Sequence, residues 1–316
     1  MEHEQRQQVF QASIFTVAEA ADAGFTPYRL RDARLTSPTR GIRTWDGATP
    51  PWFETLRAYS GLGGEHYLSH TTAAQVWGIW LPFWLQTESP IHITGRKGAT
   101  GARRRPEVVG HRAKLDPRDV VEVDGLRLTT PARTWLDLAP ILRDPFDLVA
   151  AGDALLQRAD GPDRPEGVLG VNPLAGLPEI DEVLGRRRSV KGIQAAREAR
   201  VLLRAGVDSA PESRMRSVIL AAGLPEPVVN QEVQLQDGRV KRPDLHYLRW
   251  RIALQYEGEG HADRVQLNKD IHRDDAFAAN DWITVKAGHD LYTTAGERQF
   301  LDRLRRAIAQ QSRRHG

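Results

Sequence analysis

The residues with the clearest chemical reading lie between Arg242 and Asp274, in RPDLHYLRWRIALQYEGEGHADRVQLNKDIHRD. Asp244 is expected at the end of one strand. Glu257 is expected where an apolar strand Ile252–Tyr256 emerges, with Gln255 two residues before it. Acids at the ends of two adjacent strands are a way of holding a hard divalent cation, because oxygen ligands suit Mg²⁺. Basic residues surround them, which makes a phosphodiester the natural substrate for such a cation. His261 follows in a Gly-rich loop, where an imidazole can give or take a proton near neutral pH. A charged helix carrying Lys269, Asp270 and Arg273 comes next.

The elements that must position these groups are legible on either side. Ser209-Ala210-Pro211-Glu212 reads as a capping box opening a helix that Gly223 ends, with Pro225 just beyond. Val228–Leu235 alternates as a strand, Gln236-Asp237-Gly238-Arg239 is a tight turn, and Val240–Tyr247 returns as its partner. Val265–Ala279 is expected to be helical, Trp282–Lys286 a strand, and Gly296–Gln311 a basic amphipathic helix. The order helix, hairpin, strand, helix, strand, helix describes a small α/β domain over 208–316, a mixed sheet flanked by helices.

Toward the N-terminus, Thr16–Gly47 reads as a small helix-turn-helix with a wing, a domain over 1–48. Thr16 and Glu19 form a capping box, Gly24 ends the first helix and Pro27 opens a second, Thr26–Arg34. In a DNA groove that helix would bring Arg29, Arg31 and Arg34 near phosphates; as a plain helical hairpin it would leave them solvated. Residues 49–158 read as mixed α/β: a helix from Ser69 to Val76, strands at Ile91–Thr94, Glu107–His111 and Leu126–Leu128, and a helix from Thr130-Pro131 to Leu138. The aromatic group Trp77, Trp80, Phe83 and Trp84 suits a core better than a base-stacking platform. His70, His92 and His111 are too dispersed in sequence to suggest a metal site. Residues 159–207 read as a linker with helices, Gly- and Pro-rich at its start.

The chain has 316 residues, no cysteine and a net charge of +3, with basic clusters at Arg103–Arg105, Arg186–Arg188, Arg303–Arg306 and Arg313–Arg314. That patchiness points to nucleic acid. The absence of cysteine excludes disulfides and zinc-cysteine sites. With no apolar run of spanning length and no signal-like start, it fits a cytoplasmic protein.

The segments ESRMRSVILAAGLPEP, RPDLHY, IALQYEGEGH, KDIHRDDAF and DWITVKAGHDL, in that order, resemble the PD-(D/E)XK nuclease fold. More narrowly they resemble its very-short-patch-repair-like endonucleases. TVAEAADAGFTPYRLRDARLTSPTRGI, SHTTAAQVWGIWLP and LTTPARTWLDLA are similar to the winged-helix part and following segments of AbiEi-type antitoxins. The first resemblance implies a Mg²⁺- or Mn²⁺-dependent DNA endonuclease. Its first acid falls on Glu212, its central aspartate on Asp244 and its paired strand positions on Gln255 and Glu257. Its histidine falls on His261, its helix acid on Asp270 and its arginine on Arg273. The first of the paired positions is usually Glu and is an amide here, which lowers the charge available for a cation. Lys269 or Lys286 can stand for the lysine of the family name. Each residue also has a plainer role: Glu212 in capping, Gln255 and Glu257 on a solvent face, His261 on the surface, Asp270 and Arg273 as a helix ion pair. The second resemblance implies a non-catalytic DNA-binding regulator, with a toxin or a second copy of the chain as partner.

Overall fold

The computed structural model describes residues 12–86, 90–96, 107–164, 167–258 and 275–315. The fold is α/β, with helices and several mixed sheets. It divides into two compact units: Met1–Ile141 with Pro165–Gly170 and Pro178–Ile193, and Leu142–Arg164 with Val171–Leu177 and Gln194–Gly316. The segment 159–207 is shared between them. Among the described residues no helix is long and apolar enough to cross a membrane.

The first unit begins with strand β1 (Ile14–Thr16) and helix α1 (Val17–Asp22). The capping box is formed: Glu19 N–H donates to Thr16 Oγ1 at 3.0 Å, and Thr16 N–H donates to Glu19 Oε2 at 2.7 Å. Strands β2 (Leu35–Thr36) and β3 (Ile42–Trp45) complete a three-stranded sheet in the order β1-β3-β2. Phe15, Ala20, Ala23 and Phe25 are buried beneath it against Leu30, Leu35 and Trp45. The second helix expected over Thr26–Arg34 is reduced to one 3-10 turn, Arg29–Arg31. Asp32 ends it: its backbone is extended, and its carboxylate accepts from the backbone and guanidinium of Arg34 at 2.8–3.1 Å. Arg29, Arg31 and Arg34 are exposed, but on a turn too short to fill a groove as a helix.

The main sheet of this unit has the order β6-β5-β4-β8-β7, built from β4 (His66–Leu68), β5 (Ile91–Arg96), β6 (Val108–Ala113), β7 (Val120–Val123) and β8 (Leu126–Thr129). β5 and β6 are parallel, as are β4 and β8; β4–β5 and β7–β8 are antiparallel. Asp124 and Gly125 both have positive φ, which a two-residue hairpin turn between right-twisted strands demands. Helices α2 (Trp52–Ser60), α3 (His70–Trp77) and α4 (Pro131–Leu138) belong to the same unit. Of the aromatic group, Trp77 is core and donates its indole N–H to Thr129 O at 2.9 Å, whereas Phe83 and Trp84 are exposed on a 3-10 turn.

The second unit contains α5 (Pro145–Asp153), α7 (Ile193–Leu202), α8 (Ala210–Ala221) and α9 (Thr294–His315). Between α5 and α7 the chain passes back through the first unit as α6 (Leu177–Arg186), whose basic end is turned inward there. Arg186 and Arg187 both pair with the fully buried Asp119, which Arg133 also reaches at 3.0 Å. Much of the expected Arg186–Arg188 nucleic-acid cluster is therefore structural.

The sheet of the second unit runs β14-β13-β12-β9, with β9 (Val228–Val229), β12 (Leu245–Tyr247), β13 (Ile252–Tyr256) and β14 (Ile283–Ala287). A separate hairpin pairs β10 (Val233–Gln234) with β11 (Val240–Lys241). The long strands expected at Val228–Leu235 and Val240–Tyr247 are thus each broken in two. Asn230 begins the break in the first: its φ of +44° is a left-handed conformation that asparagine tolerates better than most residues. Leu245, Tyr247, Ile252, Leu254 and Val285 share one core with Met215, Ile219, Phe300 and Leu304 from α8 and α9. Each such fully buried Leu, Ile or Phe contributes roughly 1.5–3 kcal/mol.

Candidate functional site

Strand pairing brings the sequence-selected side chains of the second unit together. β12 and β13 pair Leu245 with Leu254; Asp244 sits at a bend just before β12. Side chains alternate across a strand, so His246, Ala253, Gln255 and Glu257 take the face opposite the Leu245–Leu254 core. β14 runs parallel to β13 and pairs Gln255 with Lys286, adding Lys286 to the same face.

Asp244 is fixed at both ends. Its Oδ2 accepts from Tyr256 N–H at 2.8 Å, and its carbonyl accepts from Asn230 N–H at 2.9 Å. Gln255 is 1% exposed, and its Nε2 has no hydrogen-bond partner among the described residues. Leaving such a group unpaired costs on the order of 1–3 kcal/mol. Glu212 is buried at the start of α8 and fulfils the capping reading, with Ser209 Oγ donating to it at 2.8 Å. It also accepts from Asp208 N–H at 3.0 Å and Asn230 Nδ2 at 2.6 Å. Burial, and then the negative charge of Asp244, push its carboxyl up to about 7 despite those donors.

Glu257 stands apart. It is half-exposed and paired with Lys286 Nζ at 2.6 Å. Both line a groove of about 560 Å³ with Thr284, Arg303, Arg306 and Gln310, so the basic cluster of α9 borders this acid. The expected convergence of all four residues on one pocket is therefore partial. Among the described residues no set of three acids has its ligand atoms within 4.8 Å of one another. Glu257 projects past the strand end, where the adjacent Lys286 takes it.

Mg²⁺ or Mn²⁺ keeps several waters and needs only one or two carboxylates, so Asp244 would be the carboxylate available to a hydrated ion here. A Gln255 amide turned end for end would place its oxygen where the unpaired Nε2 lies. A cation beside Asp244 would relieve the repulsion that raises Glu212. His261, Lys269, Asp270 and Arg273 lie within 259–274, outside the described residues, as does the Arg103–Arg105 cluster. Lys286, left open in the sequence beside Lys269, occupies a strand position next to Gln255. Asn230, which joins Glu212 to the Asp244 strand, was missed; only the turn-prone character of asparagine hinted at it.

The first unit corrects the sequence reading of its histidines. His70, His92 and His111 are not dispersed in space: one ring nitrogen from each lies within 4.8 Å of the others. β5 and β6 pair His92 with Val109 and Thr94 with His111, which sets the two imidazoles on one face of parallel strands. His111 Nε2 lies 3.0 Å from His92 Nδ1, and His70, opening α3, stacks on His111 at 3.7 Å between ring centroids. Burial first, then the neighbouring imidazoles, hold His70 down at about 2; burial and His111 hold His92 at about 4; burial also lowers His111. All three are neutral at pH 7. Parallel register between strands that a long segment separates leaves no local trace in sequence.

No family model matches the chain. Two relatives from strains of Mycobacterium tuberculosis, the uncharacterized proteins MT2308 and Rv2248, are each similar to it. Each is 28% identical over 245 residues, which cover 73% of this chain and 79% of the relative.

Proposed function

We propose that this chain is a nucleic-acid-binding protein whose second unit hydrolyses phosphodiester bonds with the help of one divalent cation. The observation that carries this reading is Asp244, held by the Tyr256 N–H beside the strand that bears Gln255, with the buried Glu212 electrostatically coupled to Asp244. Asp244 and the Gln255 oxygen would hold Mg²⁺ or Mn²⁺, which supplies Lewis acidity and a more acidic bound water. Glu212, titrating near 7, is matched to accepting the proton of the attacking water. Lys286, next to Gln255, would meet a phosphate oxygen. Arg303 and Arg306 in the neighbouring groove would hold the flanking backbone.

A second reading is favoured by two specific facts. Gln255 brings no charge and Glu257 is already neutralised by Lys286, which suits a DNA-binding regulator without catalysis, of the antitoxin-like kind. Supercoiled plasmid with Mg²⁺ or Mn²⁺ separates the two. Metal-dependent nicking by the wild type that Asp244→Asn abolishes supports hydrolysis. A gel shift of the same plasmid without any nicking supports the regulator.

A further inference from the structure

The imidazole trio of the first unit belongs to neither reading and stands in a different part of the chain. We propose that His70, His92 and His111 form a binding site for a borderline divalent cation of the Zn²⁺ class, with three imidazole nitrogens as ligands and water in the fourth position. Imidazole suits Zn²⁺ and its first-row neighbours, whereas Mg²⁺ and Ca²⁺ take oxygen. Three protein ligands with an open position is the arrangement of a reactive or exchangeable zinc site rather than a closed structural one.

The three ligand nitrogens are near enough to share an ion, although His70 lies stacked on His111 at 16° between ring planes, so one of these two rings must turn for both lone pairs to meet at it. Around a tetrahedral Zn²⁺ with Zn–N near 2.0–2.1 Å, ligand nitrogens sit roughly 3.3 Å apart. His111 Nε2 and His92 Nδ1 share a hydrogen bond at 3.0 Å, so an ion would replace the proton between them and draw the pair apart by a few tenths of an ångström. The supports behind the rings are also in place. His70 Nδ1 lies 2.9 Å from Ser69 Oγ, which accepts from Thr94 Oγ1 at 2.7 Å; a His70 that donates from Nδ1 presents its Nε2 lone pair to the ion. Such outer hydrogen bonds fix the tautomer and ring orientation of metal-bound histidines. His92 is tied to the same helix start, because its N–H donates to Thr72 Oγ1 at 2.8 Å and its carbonyl accepts from Ser69 N–H at 3.0 Å.

A second observation is independent of the ring distances. His70 has φ of +52°, a left-handed conformation that costs a non-glycine residue on the order of 1–3 kcal/mol and that clusters at ligand sites. The cationic group that acts on His70 is Arg133, whose charge is met by Asp119 at 3.0 Å and by Asp137 at 2.9 Å.

The test uses the full chain, untagged and stripped with a chelator, titrated calorimetrically with Zn²⁺ and, as a spectroscopic probe, with Co²⁺. The expected result is one tight equivalent per chain, visible Co²⁺ bands of nitrogen ligation, and no competition from excess Mg²⁺. His92→Gln and His111→Gln, both at half-buried positions, should each abolish that equivalent. Ser69→Ala should weaken it by about 10- to 100-fold. Absence of Zn²⁺ uptake by the wild type, or undiminished uptake by both histidine variants, overturns the proposal. X-ray absorption of the Zn²⁺-loaded wild type decides it even where a variant misfolds: three imidazoles around the ion support the site, and fewer refute it.

Discussion

Replacing Glu212 by Gln is expected to change the pH dependence of stability in a way that the burial of this carboxyl dictates. Its ordinary value is 4.5 and its folded value about 7, a difference of about 2.5 units. Each unit corresponds to about 1.36 kcal/mol, so ionising Glu212 in the folded state costs about 3 kcal/mol. The folded state binds the proton more tightly than the unfolded chain. The stability that the protonated form contributes is fully present below pH 4.5 and is lost as pH rises through about 7. Glu212→Gln keeps the shape and removes the titration. Denaturant melts of the full-length wild type and variant between about pH 4.5 and 8, followed at the transition of the second unit, should show the variant gaining about 3 kcal/mol relative to wild type. Saturating Mn²⁺ should make the wild-type profile shallower, because burial still raises the carboxyl but a cation beside Asp244 offsets the added repulsion. Asp244→Asn should lower the carboxyl value in the absence of metal. A difference between wild type and Glu212→Gln that stays constant with pH would refute the coupling of Glu212 to its surroundings.

Gln255→Glu is expected to raise Mn²⁺-dependent nicking of plasmid above wild type, since it restores a charged oxygen ligand on the strand beside Asp244; unchanged or lower nicking counts against a cation there. Reversing Arg303 and Arg306 to Glu should weaken duplex binding and flatten the slope of log affinity against log salt by about 0.9 for each phosphate that the protein no longer neutralises. An unaltered slope in gel shifts at several salt concentrations would remove the groove from the interface. Asp119→Ala leaves Arg133, Arg186 and Arg187 without their shared carboxylate and should cost about 3–5 kcal/mol in a thermal or denaturant melt of the first unit. A loss below about 1 kcal/mol would mean that those arginines find water instead.

What the sequence revealed was local. The Thr16–Glu19 box, the Ser209 cap, the helix behind Thr130-Pro131 and the apolar strand Ile252–Tyr256 all depend on a few consecutive residues and formed where expected, although the Glu212 carboxylate takes the Asp208 N–H instead of closing a box on Ser209. The Thr26–Arg34 helix failed because the sequence pattern could not weigh the competing bond from the Arg34 backbone to Asp32. Val228–Leu235 alternates convincingly, yet Asn230 turns away to reach Glu212, a partner outside the strand. Around the candidate site, Asp244 beside the strand that bears Gln255 follows from a short antiparallel connection. The Glu257–Lys286 pair needs a parallel partner strand, and the imidazole trio needs a parallel strand and a helix start together. Long-range register is invisible to periodicity because each strand is equally self-consistent in any pairing.

The grip of Asp119 on Arg186 and Arg187 bears on how the protein is made. Pro178–Ile193 rejoins the first unit after the polypeptide has contributed Leu142–Arg164 to the second. A nascent chain cannot complete its first unit until residue 193 has left the ribosome. Until then Asp119 meets Arg133 and the Asp116 N–H but neither later arginine, and the growing protein carries a half-neutralised acid in an unfinished interior. A fragment ending at residue 158 would carry that defect permanently, whereas one reaching residue 193 would not.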